Sequence, residues 1–376
     1  VPHSKYIHRA VSLLSDEDEA AAELASQLGP GPRAGLLFFC SSDYDLDRLG
    51  AALERCFDCP VVGCTTAGEI GPKYTDGSIV AASLSAEKFR IHPRLIKTLG
   101  KLDAAASKAV ADELRCRLQW SSRFDGTQMF GLLLIDGMSV LEEQVVAFLH
   151  AAIHGVQLIG GSAGDNMRFE KTHVYYGGKF HSDAAVFTLV ESRLPFHAFK
   201  LQHFEPSEMD LVVTEADPEQ RIVYEINGGP AAAEYAETVG LSSAELSPQI
   251  FSKYPVMLQI GDEWYVRSIQ KVNEDGSLTF FCAIDNGLPL TVARGVGFLR
   301  SLRAQVQVIQ SRFSSIECTI GCDCIHRRLE LTAAGHTEQV EAELSKLNFL
   351  GFSTFGEQFG GLHVNQTLTA VVLGGE

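Results

Sequence analysis

The chain has 376 residues, 45% hydrophobic and 21% charged, a balance that excludes a disordered polymer and fits two or three globular domains. Its formal net charge of −16 excludes the basic stripe that nucleic acid demands and disfavours anionic lipid. No run approaches the roughly 20 apolar residues of a membrane span, no basic-then-apolar leader opens the chain, and nine scattered cysteines point to a reducing compartment, so the setting reads as cytoplasmic.

In chain order, residues 1–30 read as an arm or strand followed by a polar helix. Gly35 to Glu69 reads GLLFFCSSDYDLDRLGAALERCFDCPVVGCTTAGE: an apolar run, a polar turn, an amphipathic stretch, a second apolar run and a glycine turn ending in an acid. Gly131 to Asp165, GLLLIDGMSVLEEQVVAFLHAAIHGVQLIGGSAGD, repeats the order. Leu46, Leu49, Leu53 and Phe57 fall on one helical face, as do Leu141, Val145, Phe148 and Leu149 in the second copy. Ser139 and Glu142 have capping-box spacing at the second helix start. The flanking runs, continuously apolar, predict strands covered on both faces.

Leu211 to Asn227 predicts a hairpin, Pro230 to Tyr235 a helix, and the stretch to Ala283 further strands around an Asp275-Gly276 turn. A third copy then predicts one strand over Ser315 to Leu331, a helix marked by Val340, Leu344 and Leu347, and FLGFSTFGE. The motif glycines Gly68, Gly164 and Gly356 fall at multiples of one interval. The expected architecture is α+β: two mixed-sheet domains covered by helices, over 31–210 and 211–376.

The glycine turns either present backbone N–H groups to a ligand or make tight corners. In the first reading Cys64, Thr65, Glu69, Ser162, Asp165, Ser353 and Glu357 line a pocket. Cys318, Cys322, Cys324 and His326 form C-x3-C-x-C-x-H, a candidate set for zinc or an iron–sulfur cluster. On a regular strand such side chains start roughly 6.5–7 Å apart, so a shared metal requires the chain to turn at Gly321. Cys64 is a candidate nucleophile for a thiol enzyme, and a metal-dependent enzyme is the companion alternative. His203 follows an apolar strand at the domain boundary, where clefts form, with His181 behind it as a candidate ligand.

Together these motifs resemble the FIST family of sensory proteins, with an N-terminal and a C-terminal FIST domain. The resemblance lies in LLFFCSSDYDLDRL, VVGCTTAGEI, LLLIDGMSVLEE and LIGGSAGDN in the first part, and RIVYEINGGPAAAEYAE, FFCAIDNGLPLTVAR, GCDCIHRRLE, GFSTFGEQ and HVNQTLTAVVL in the second. It adds Asn365 to the ligand-contact candidates. His326 stands where the resemblance leads one to expect an aliphatic residue. The resemblance implies a non-enzymatic sensor, and a similar stand-alone subgroup implies haem, nitric oxide as signal, and a partner histidine kinase or cyclic-di-GMP enzyme. The alternative sensor is haem-free and takes a small metabolite at the glycine turns. Oligomerisation is left open.

Overall fold

A computed structural model describes residues 4–375, so the first three residues of the predicted arm lie outside it. The chain builds three similar units. The first runs β1 (Ile7–Ser12), α1 (Glu17–Leu28), β2 (Arg33–Ser41), α2 (Leu46–Cys56), β3 (Val61–Thr66), a hairpin β4–β5 (Glu69–Ile70 and Tyr74–Thr75) and β6 (Ile79–Ser85). The second runs β7 (Phe89–Lys97), α3 (Ala104–Arg117), β8 (Met129–Ile135), α4 (Glu142–Ala152), β9 (Gln157–Ser162), a hairpin β10–β11 (Val174–Tyr176 and Lys179–His181) and β12 (Ala184–Ser192). Then β13 (Phe196–Leu201) opens a third unit and is followed by an insert.

The insert comprises β14 (Phe204–Asp217), β15 (Ile222–Ile226), β16 (Gly229–Pro230), α5 (Ala231–Thr238), α6 (Pro248–Lys253), β17 (Val256–Ile260), β18 (Glu263–Arg267), β19 (Ile269–Val272), β20 (Leu278–Phe280) and β21 (Pro289–Gly295). The third unit resumes with α7 (Phe298–Arg312), β22 (Ile316–Cys324), α8 (Ile325–Ala333), α9 (Thr337–Ser345), β23 (Phe349–Thr354), a hairpin β24–β25 (Glu357–Phe359 and Leu362–Val364) and β26 (Leu368–Gly374). The stretch expected as one strand over 315–331 therefore breaks at Cys324, and its second half is helical.

Each unit supplies a parallel pair, β2 with β3, β8 with β9 and β22 with β23, flanked by antiparallel β6, β12 or β26. The hairpin of each unit leaves its own sheet. The β4–β5 hairpin pairs with β23, β10–β11 with β3, and β24–β25 with β9. The exchange runs cyclically, so the three sheets are stitched into one body.

The apolar runs follow from this arrangement. Along β2, Leu37 and Phe39 face a central core shared with Leu132 and Leu134 of β8 and Ile320 and Cys322 of β22. Leu36 and Phe38 point outward beneath α1 and α2, against Leu24, Leu49 and Leu53. A strand buried on both faces has no polar alternation. In α4 the buried stripe is Val145, Val146 and Leu149, with Phe148 only half-buried. The insert has its own core around Val213, Tyr235, Phe251 and Leu278. Among the described residues no helix is long and apolar enough to cross a membrane.

Candidate functional site

The three glycine turns meet at one end of the core and bond to one another in a ring. Ala67 N–H donates to Ser353 O at 2.9 Å, Ser162 N–H to Gly356 O at 2.8 Å, and Gly164 N–H to Thr65 O at 3.0 Å. The close approach explains the glycines. A Cβ at Gly164 would lie 2.5 Å from Ala67 N, and one at Gly68, whose φ is +124°, would lie 1.5 Å from Arg328 Nη1.

The turn acids are spent inside this ring. The Glu69 carboxylate accepts from Thr66 Oγ1, and from Ser78 N at 3.1 Å and Ser78 Oγ at 2.7 Å. Glu357 repeats the arrangement with Thr354 Oγ1, Thr367 N at 3.1 Å and Thr367 Oγ1 at 2.8 Å. Burial pushes Glu69 up to about 7 and Glu357 up to about 8, against those donors. Asp165 accepts from the backbone N–H groups of Phe169, Glu170 and Lys171 at 2.7–3.0 Å. Thr65 Oγ1 accepts from His173 N at 3.0 Å, and Ser162 Oγ from Gln358 Nε2 at 3.0 Å. These side chains hold the turns in place.

The candidate cysteines are distributed through the core, whereas Cys56 and Cys116 are exposed. Cys64, Cys318 and Cys322 lie in the central cluster, and burial raises all three thiols, Cys318 to about 12. Cys324 precedes α8, where burial likewise raises its thiol. Among the described residues no three metal-ligating side chains come together, and His326 lies on α8 with Gln366 Nε2 3.1 Å from its Nδ1. Burial lowers His326 to about 4, so it is neutral.

His203 is 1% exposed and fully engaged. Arg327 Nη1 lies 3.3 Å from its Nδ1, and Glu330 Oε2 lies 2.8 Å from its Nε2. Arginine only donates, so Nδ1 accepts and Nε2 carries the proton. Arg327 in turn donates from Nε to Asp323 Oδ1 at 2.6 Å, and Tyr74 OH donates to Asp323 Oδ2 at 2.8 Å. This network fastens the entry to the insert onto α8. Neither ring nitrogen is left for an iron, so His203 does not fit as a haem ligand. His181 lies partly buried at the end of β11, its Nε2 3.2 Å from Tyr176 O.

An open cleft of about 700 Å³ lies where the first two turns face α8. Ala67, Asn166 and Met167 form one wall, Ile325 and Arg328 the other. Arg328 pairs with Asp76 at 2.9 Å and Arg168 with Asp43 on the rim. Asn166, Met167 and Phe169 hold φ of 57°, 63° and 55°, left-handed conformations of non-glycine residues that are costly unless the surroundings enforce them. A groove of similar size, about 720 Å³, runs along β1 and the start of β23, but none of the turn residues lines it.

Behind the cleft Ala67 and Ile325 pack with Phe281 and Phe355. Phe281 belongs to the insert, and its backbone N–H donates to Ser268 O at 2.9 Å. Here buried polar atoms lack partners: Arg267 Nε and Nη1, Ser268 Oγ, Ser353 Oγ, Asn365 Nδ2 and Gln366 Oε1. Ser268 N–H lies 3.4 Å from Asn365 Oδ1, which brings the insert against the strand exchanged from the third unit. Asn365, a candidate from sequence, lies at this junction, and Ser353, another, is bonded through its backbone to the first turn. Phe281 falls within the FFCAIDNGLPLTVAR motif, yet neither it nor Arg267 is singled out by sequence as a site residue, because an arginine or phenylalanine in a strand is ordinary.

The insert is also tied to the second unit. Arg221, 3% exposed with φ of 56°, donates to Glu142 Oε2 at 2.7 Å, to Glu143 and to Phe281 O at 2.7 Å. Glu142 is thus occupied by Arg221. No side chain caps α4, which begins at Glu142 after Leu141, so the expected capping box does not form. Burial acts to raise the Glu143 carboxyl, yet His363 and Arg221 beside it hold it below its usual range.

Comparison with known proteins agrees with this organisation. The FIST N domain profile matches residues 34–229 and the FIST C domain profile residues 231–360. The chain is also 27% identical over 266 residues to the uncharacterized protein MJ1623 of Methanocaldococcus jannaschii, across 66% of this chain and 49% of that protein. It therefore spans about half of that relative's length. The FIST N segment covers the first unit from β2 onward, the second unit, β13 and the start of the insert, the FIST C segment the rest of the insert and the third unit from α7 to β24, and the exchanges of β4 onto β23 and of β24 onto β9 bind the two segments together. With both profiles matched in order along most of its length, the chain belongs to the FIST family of sensory signal-transduction domains.

Proposed function

We propose that the protein senses a small polar metabolite held in the cleft between the first two turns and α8, and reports occupancy through the seating of the insert. The observation that carries this reading is the cleft of about 700 Å³, to which both FIST segments contribute and whose wall is held in left-handed backbone. Its two arginines and two aspartates offer both charges to a polar ligand. A ligand shifts an arrangement only if it binds one state better, and a site made from both segments meets that condition when they shift relative to each other.

Of the sensor readings that the resemblance allows, this is the haem-free one. His203 donates and accepts within its own network, so no step is routed through haem or nitric oxide. Catalysis by the thiols is disfavoured because Cys64, Cys318, Cys322 and Cys324 are buried and held protonated. A cytoplasmic histidine kinase or cyclic-di-GMP enzyme as recipient of the signal belongs to the same proposal and rests on family resemblance.

The test is a melting-shift screen of metabolite-sized acids, amines, amides and phosphates, followed by titration of the best compound into Arg328→Ala and Arg168→Ala. The expected result is a saturable upward shift in the wild type and about tenfold weaker binding when a charged contact is removed. No shift with any compound, or unchanged affinity in both variants, overturns the reading.

A further inference from the structure

Arginine stays protonated inside proteins, and a buried guanidinium without a counter-charge is strongly destabilising. Arg267 is 7% exposed, and among the described residues no carboxylate pairs with it. Its Nε and Nη1 have no acceptor. The acids nearby are committed elsewhere: Glu142 to Arg221, and Glu143 to Arg221 and the backbone N–H of Ala283 at 2.6 Å. The Arg267 guanidinium does hydrogen-bond the Cys282 thiol, but burial pushes that thiol up to about 11, so it stays neutral near pH 7 and supplies no counter-charge.

Two further donors without partners lie on the same junction. Ser268 Oγ belongs to the next residue, and Asn365 Nδ2 belongs to the side chain whose Oδ1 faces Ser268 N–H. Both residues are fully buried. The Asn365 amide also lies against the third turn, where a Cβ at Gly356 would be 3.0 Å from Nδ2. An arginine edge, a hydroxyl and an amide N–H₂ match the needs of a carboxylate or phosphate group.

We infer that Arg267, with Ser268 and Asn365, forms an anion-recognition subsite for the acidic group of the sensed molecule. This deepens the small-ligand reading and rests on it. Phe281 is the partition: its side chain packs with the cleft-lining Ala67 and Ile325, and its backbone N–H holds Ser268. Displacement of its ring opens the cleft toward Arg267, so a ligand that reaches the guanidinium moves an insert residue on entry. The ligand class is therefore a small carboxylic or phosphoric acid, and recognition is coupled to the position of the insert.

The experiment compares dialysed wild type with Arg267→Met and Asn365→Ala. Each is melted alone and with sodium acetate, sodium succinate, sodium phosphate, acetamide or ethylammonium chloride at matched ionic strength, and titrated with the best compound from the earlier screen. Without ligand, Arg267→Met is expected to melt no lower than wild type, because it removes an uncompensated charge. Anions are expected to raise the wild-type midpoint, acetamide to leave it unchanged, and both variants to need at least about tenfold more anion for the same shift. A response to the carboxylates assigns an organic acid, and one confined to phosphate assigns a phosphorylated or inorganic source.

Two results overturn the subsite. One is a marked loss of midpoint in Arg267→Met without ligand. The other is a neutral or cationic compound that binds all three proteins equally, which leaves the sensor reading standing. If no compound, in this set or the earlier screen, binds the wild type, the sensor reading itself fails.

Discussion

Arg221→Met is expected to lower unfolding stability by about 3–5 kcal/mol, measured by chemical denaturation near pH 7. Arg221 is the sole cation paired with the 2%-exposed Glu142 side chain among the described residues, and its removal leaves that carboxylate buried and uncompensated. The same change leaves Phe281 O with only the longer contact to His363 Nε2 at 3.3 Å, and Ala283 N–H stays tied to a Glu143 that has lost its arginine. Because Arg221 sits at a φ of 56°, its side chain is presented by a backbone conformation that an insert detached from α4 has less reason to keep. The double variant Arg221→Met, Glu142→Gln is expected to recover part of the loss, since both charges then leave together. A single-variant loss under about 1 kcal/mol would mean that apolar packing, and not this ion pair, seats the insert.

Glu357→Gln is expected to change the pH dependence of stability in a defined window. The folded carboxyl is raised to about 8 by burial, above its ordinary value of 4.5, so the folded state holds a proton that the unfolded state has lost between those values. Stability therefore falls as pH rises through the window, at up to about 1.4 kcal/mol per pH unit from this group. Glu69, raised to about 7, acts in the same direction. His326 acts oppositely: lowered to about 4, it favours folding as pH rises from there to 6.5, where the unfolded histidine has also lost its proton. The clean interval is thus 6.5 to 8, in which the wild type loses stability and Glu357→Gln loses markedly less. Parallel curves for the two proteins across that interval would show that Glu357 is already ionised in the folded state, held by Thr354 and Thr367.

Much of the fold was legible because it repeats. The runs around Leu36–Phe39 and Leu132–Ile135, without polar alternation, announce strands covered on both faces, and the structure covers them with a shared core and outer helices. What no local pattern carries is the hairpin exchange. Glu69–Ile70 pairs with β23, some 280 residues away, and the choice of sheet depends on packing among all three units. The segment after Cys324 reads as strand because Cys318, Cys322 and Cys324 alternate, yet the helical face of α8 is set by Ile325 and Leu331 against the core.

The candidate site was legible only in part. Glu69, Asp165 and Glu357 were singled out for their place at glycine turns, and the structure turns all three inward. An acid after a tight turn serves equally as a cap for backbone N–H groups and as a ligand contact, and sequence alone does not separate the two. Arg221 and Arg267 were not legible, since their importance comes from burial and from what surrounds them.

The most direct test of the account is backbone hydrogen exchange of the full chain with and without the compound that most raises its melting midpoint. Slowed exchange is expected at 166–169, on α8, and over 267–282 where the insert meets the third unit. Slowed exchange confined to the groove along β1, or none in these three segments, would contradict the claim that the junction of the turns and the insert is where this protein reads its signal.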